Sequence, residues 1–86
     1  MQEIEVGTVV VSLQGRDKDK IYIVKYVENG YAYLVDGRQR TLACPKKKKL
    51  KHIRKTEKIA KTVQEKLKNN EKILDSEIRK TIGNLA

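Results

Sequence analysis

The sequence has no tryptophan and no phenylalanine, so a core must come from Val, Ile, Leu and parts of four tyrosines. Its one cysteine excludes an internal disulfide and a multi-cysteine metal site, and favours a reducing compartment. That residue, Cys44, precedes Pro45 and reads as a small apolar residue at a strand end rather than a reactive thiol. No apolar run approaches the roughly 18 residues that a membrane-spanning helix needs. Met1-Gln2-Glu3-Ile4-Glu5 carries acids where a secretion signal needs cations. A soluble, cytoplasmic protein without membrane contact is expected.

Groups that perform chemistry are equally scarce. His52 is the only histidine, and it lies among cations. A phosphate or backbone contact suits it better than general-base work. No glycine-rich phosphate loop, nucleophile elbow or metal-ligand spacing occurs. The alternating acids of Asp17-Lys18-Asp19 read as turn chemistry. We expect no catalytic residue, no metal and no cofactor, and therefore no enzyme.

What the chain has in excess is positive charge, and it is concentrated. Of a net +9, residues 46–55 contribute seven Lys or Arg and no acid, while residues 1–45 sum to zero. A dense cation row attracts a polyanion, and phosphate backbones are the commonest kind. The competing reading is a solvated lysine row that keeps a sheet edge from aggregating.

The row divides a strand-like half from a helix-like half. Gly7-Thr8-Val9-Val10-Val11-Ser12-Leu13 is β-branched and partly alternating, with Val9, Val11 and Leu13 on one face. A polar loop at residues 14–20 leads to a second run, Ile21-Tyr22-Ile23-Val24-Lys25-Tyr26-Val27. There Ile21, Ile23 and Val27 alternate with Tyr22, Val24 and Tyr26, so both faces are apolar and the strand is central. Asn29-Gly30 signals a tight hairpin into Tyr31-Ala32-Tyr33-Leu34-Val35, and Asp36-Gly37 another turn. A fourth strand is predicted at residues 38–43 and a fifth at 50–53. This pattern predicts a mainly β fold with C-terminal α: a small barrel or half-open roll of about five strands over residues 1–55.

From Thr56 onward Glu, Lys, Gln, Ala and Leu predict helix, with Thr56 as N-cap. Ile59, Ala60, Val63 and Leu67 form its apolar stripe, and Asn69-Asn70 stops it. Asp75-Ser76-Glu77 opens a second helix through Ile78 and Ile82, closed by Gly83-Asn84. Residues 56–86 are expected either to pack on the sheet or to stay partly mobile until a partner binds.

Val6-Gly7-Thr8-Val9-Val10-Val11, the loop residues Gly15-Arg16-Asp17-Lys18 and Ile23-Val24-Lys25-Tyr26-Val27 together resemble a KOW motif: strand, glycine-containing basic loop, strand. Gly15 falls at the motif's glycine, and Asp19 where many members carry a second one. Leu34-Val35-Asp36-Gly37 and Leu50-Lys51-His52-Ile53 are similar to the archaeal and eukaryotic large-subunit ribosomal protein of the "fourteen-e" type. The likeness covers roughly residues 5–55. It implies an SH3-like barrel and RNA binding, of ribosomal RNA in particular. The family's contact loop carries over to Gly15, Arg16, Lys18 and Lys20.

Three basic groups are candidates for one RNA-binding surface: Gly15, Arg16, Lys18 and Lys20; Arg38 and Arg40; and Lys46, Lys47, Lys48, Lys49, Lys51, His52, Arg54 and Lys55. Arg forks onto a phosphate through two N–H groups, whereas Lys acts as a compact charge. Tyr22, Tyr26, Tyr31 and Tyr33 read first as core or edge residues and only second as stacking surfaces for bases. The expected partner is structured ribosomal RNA or the ribosomal subunit, bound by a chain that is monomeric when free. The alternative is a protein-interaction module docking an acidic partner of the transcription or translation machinery.

Overall fold

The structure is a computed structural model and describes residues 3–85. The chain runs β1 (Thr8–Ser12), β2 (Ile21–Glu28), β3 (Tyr31–Val35), β4 (Lys46–Lys49), a 3₁₀ turn (Leu50–His52), β5 (Ile53–Ile59), α1 (Lys61–Lys68) and α2 (Asp75–Leu85). All four pairings are antiparallel, in the order β4-β3-β2-β1-β5. The result is a five-stranded antiparallel sheet followed by two helices. No helix among the described residues is long and apolar enough to cross a membrane.

The first three strands lie where their β-branched runs predict. Asn29 and Gly30 both take positive φ, 52° and 81°, as the tight hairpin between β2 and β3 requires. The fourth strand is elsewhere. Instead of extending, residues 36–40 fold back: the Arg38 and Arg40 amides donate to Asp36 Oδ1 at 2.8 and 3.0 Å. The Leu42 amide donates to Asp75 Oδ1 on α2 at 2.8 Å. Once those donors are taken by side chains, no ladder is left for them to join. β3 pairs instead with the four lysines of β4, Leu34 opposite Lys46 and Tyr31 opposite Lys49.

Residues 50–52 turn, and β5 begins where the predicted fifth strand was to end. It runs through Thr56, so that residue is not a helix cap: its hydroxyl donates to the Val9 carbonyl at 2.7 Å. Pairing with β1 overrides the helix propensity of residues 57–59. α1 starts at Lys61, and Asn70 ends it at φ 55°. α2 begins at Asp75 as expected, but continues through Gly83 to Leu85.

β4 and β5 are opposite edges of the sheet, yet only the 3₁₀ turn joins them. Four Cα steps reach at most about 15 Å, whereas a flat five-stranded sheet separates its edges by about 19 Å. The sheet must curl. The Leu50 amide bonds the Gly30 carbonyl at 3.0 Å and the Leu13 amide bonds the His52 carbonyl at 2.9 Å, pinning the turn to both sides. Among the described residues no ladder joins β4 to β5, so the curl stays open.

Curling makes two cores. Inside lie Val10, Tyr22, Val24, Ala32, Leu34 and Ile53. On the convex face Val9, Ile23 and Val35 are covered by Ala60, Val63 and Ile78. Both faces of β2 are thus buried, as its sequence predicts. One register shift changes the outcome: a bulge between Val24 and Tyr26 inserts Lys25, and Tyr26 pairs with Tyr33. Strict alternation groups Tyr26 with Tyr22 and Val24; the bulge moves it to the convex face. The Val9, Val11, Leu13 face also runs out of cover, leaving Leu13 40% exposed.

Candidate nucleic-acid interface

The loop at residues 13–20 is built around a buried acid. Asp17 is 6% exposed and accepts hydrogen bonds from Ser12 Oγ (3.0 Å), Tyr22 OH (3.2 Å) and Lys48 Nζ (2.8 Å). Lys46 Nζ forms a further ion pair with it at 3.3 Å. Desolvation pushes the Asp17 carboxyl up, but the hydrogen bonds from Lys48, Ser12 and Lys46 outweigh it and hold the group far below the usual carboxylate range. Tyr22 is pushed up to about 12, first by burial and then by the Asp17 charge.

Turning Asp17 inward leaves its neighbours outside. Arg16, Lys18 and Lys20 are exposed. The loop closes through the Lys18 amide to the Gly15 carbonyl at 3.2 Å and the Asp19 amide to the Ser12 carbonyl at 2.8 Å. Asp19 takes φ 71°, a conformation glycine adopts freely and Asp tolerates.

Three contacts gather other basic segments around this loop. Lys20 Nζ donates to Gln39 Oε1 at 3.1 Å, which brings in the turn bearing the exposed Arg38 and Arg40. The Leu13–His52 bond brings in the 3₁₀ turn with exposed Lys51, half-buried His52 and, one residue beyond Ile53, exposed Arg54. Lys48 Nζ donates to the Gln14 carbonyl at 2.6 Å, tying in β4. From α2, Arg79 Nη1 donates to the Gly37 carbonyl at 2.7 Å and steadies the arginine turn.

The lysine row does not act as one unit. Strand alternation sends Lys46 and Lys48 to Asp17, while Lys47 and Lys49 are exposed on the other face. Lys55, further along β5, donates to the Glu3 carbonyl at 3.1 Å. In the sequence all four β4 lysines look alike, and Asp17, an acid between two cations, looks like an ordinary turn residue. The usable signal was the spacing: lysines at alternate positions of an extended run share a face and can converge on one acid.

A second grouping lies on the convex face. Tyr26 and Tyr33 stack with ring centroids 4.2 Å apart and planes 12° from parallel. Lys47 Nζ stands 4.5 Å from the Tyr31 ring centre. Of the four tyrosines only Tyr22 is a core residue. Among the described residues no group of three or more His, Cys, Asp or Glu side chains could hold a metal ion. Compared with protein-family models and with curated proteins, the chain matches none.

Proposed function

We propose that this chain is a non-catalytic, cytoplasmic RNA-binding protein of the KOW kind, its curled sheet serving as an SH3-like scaffold. Its target is structured RNA, and ribosomal RNA in particular. The observation that carries this reading is the convergence of three separate basic segments on the 13–20 loop through the Lys20–Gln39, Leu13–His52 and Lys48–Gln14 contacts. Segments far apart in sequence, bearing Arg16, Lys18, Lys20, Arg38, Arg40, Lys51 and Arg54, are thereby tied to one loop on a body only 29 × 24 × 23 Å across. Arginines position phosphates through paired N–H groups, and the lysines add long-range attraction.

The test is binding to a ribosomal RNA stem across a salt series, with Arg16→Gln, Arg38→Gln and Arg40→Gln combined. If about five phosphates are engaged, log affinity falls with log salt at a slope of about −3.5 to −4.5. The triple variant should flatten that slope by two to three and stop sedimenting with ribosomal subunits. A salt-independent interaction, or retention of one acidic protein after nuclease treatment, would overturn the reading in favour of a protein-docking module.

A further inference from the structure

The stacked tyrosines lie outside the cluster of residues that the helices cover. α1 and α2 cover the convex face over Val9, Ile23 and Val35. Beyond them the β2–β3 hairpin projects, with Tyr26 37% exposed. The register places Tyr33 opposite Lys47 and Tyr31 opposite Lys49, so both lysines share this face with the rings. Glu28, opposite Tyr31, is the acid beside them.

We propose that this face is a stacking platform for an unpaired nucleotide, distinct from the phosphate-binding loop end. The proposal rests on the RNA-binding reading and adds to it a second subsite with a different ligand chemistry. Stacked 4.2 Å apart, the two rings cover each other's inner faces and leave an outer ring face at Tyr26, 37% exposed, with the shape and polarisability of a nucleobase. Lys47 and Lys49 lie about 7 Å apart along one strand face, on the order of one nucleotide step, and suit the phosphates that flank a stacked base. A purely apolar partner would leave those two ammonium groups desolvated without compensation. An acidic protein segment would satisfy the lysines but not the exposed ring face. An unpaired stretch of RNA satisfies both.

The position depends on the β2 bulge. Were Lys25 paired in regular register instead of bulged out, Tyr26 would point into the curl with Val24, and Tyr33 would stand alone. The charge on Glu28 opposes a phosphate at this face, so Glu28→Gln should tighten binding.

Two probes separate this site from the loop end: a short oligo(A) strand and a blunt-ended duplex of equal length. With no tryptophan to mask it, tyrosine emission reports stacking directly. Oligo(A) should quench that emission and shift the Tyr26 and Tyr33 ring proton resonances upfield; the duplex should do neither. Tyr26→Leu should weaken oligo(A) binding by about 5- to 100-fold and leave duplex binding unchanged, while Tyr26→Phe, which keeps the ring, restores it. Lys47→Gln should reduce the oligo(A) salt slope by about 0.7.

If Tyr26→Leu binds oligo(A) within twofold of the parent while the arginine variant loses the duplex, the platform is refuted and the RNA reading survives. An equal loss on both probes by Tyr26→Leu also refutes it. If the parent binds neither probe, the RNA reading itself fails.

Discussion

Asp17 decides more about this protein than any of its lysines. It joins the end of β1, the start of β2 and the β4 edge through Ser12, Tyr22, Lys46 and Lys48. Removing one partner of a buried ion pair strands the other charges, so Asp17→Ala should cost about 3–5 kcal/mol in urea unfolding. In a domain this small that is most of the available stability. The pH dependence follows from the sign of the shift. Asp17 has a depressed folded pKa, so its stabilisation is complete above the unfolded value of 3.8 and is lost as pH falls toward the folded one. Tyr22 is the opposite case: its contribution is complete below 10.0 and lost as pH rises toward about 12. Thermal melts from pH 2 to 12 should show both flanks, and Asp17→Asn should flatten the acid one. Alternation within β4 gives a second residue-scale expectation. Lys48→Gln should lower the melting temperature, whereas Lys49→Gln should leave it within about 1 °C and weaken oligo(A) binding instead.

At the scale of elements, the helices hold the convex side. Ile78 is fully buried against Val9, Ile23 and Val35, so Ile78→Ala should cost about 2–5 kcal/mol by differential scanning calorimetry. α2 also sets the arginine turn. Gly37 has φ 79°, and a Cβ there would lie 2.5 Å from the Asp75 carbonyl oxygen. Gly37→Ala therefore cannot keep the turn against α2, and should weaken duplex RNA binding together with stability. The strands that sequence reasoning located, β1 to β3, are those whose residue preferences agree with their neighbours. The two it misplaced are set by partners far away in sequence. Residues 38–43 lose their ladder donors to Asp36 and Asp75, and residues 46–49 become a strand despite four lysines because β3 needs an edge partner and Asp17 needs counter-charges.

For the whole molecule, what could be read in advance was the inventory: short antiparallel strands, two amphipathic helices, and basic segments in three places. Those follow from composition and periodicity, which act over a few residues. Which lysines face solvent, which side of the sheet Tyr26 takes and where the strands end were settled only on folding. The physical reason is that one bulge or one buried acid reverses the direction of a side chain without leaving a mark on local pattern. Sequence alone determined that this protein carries a concentrated positive charge on a small β framework. Tertiary structure divided that charge between an internal clamp on Asp17 and two outward faces, because a buried carboxylate must collect its counter-charges from whatever strand the curl brings within reach.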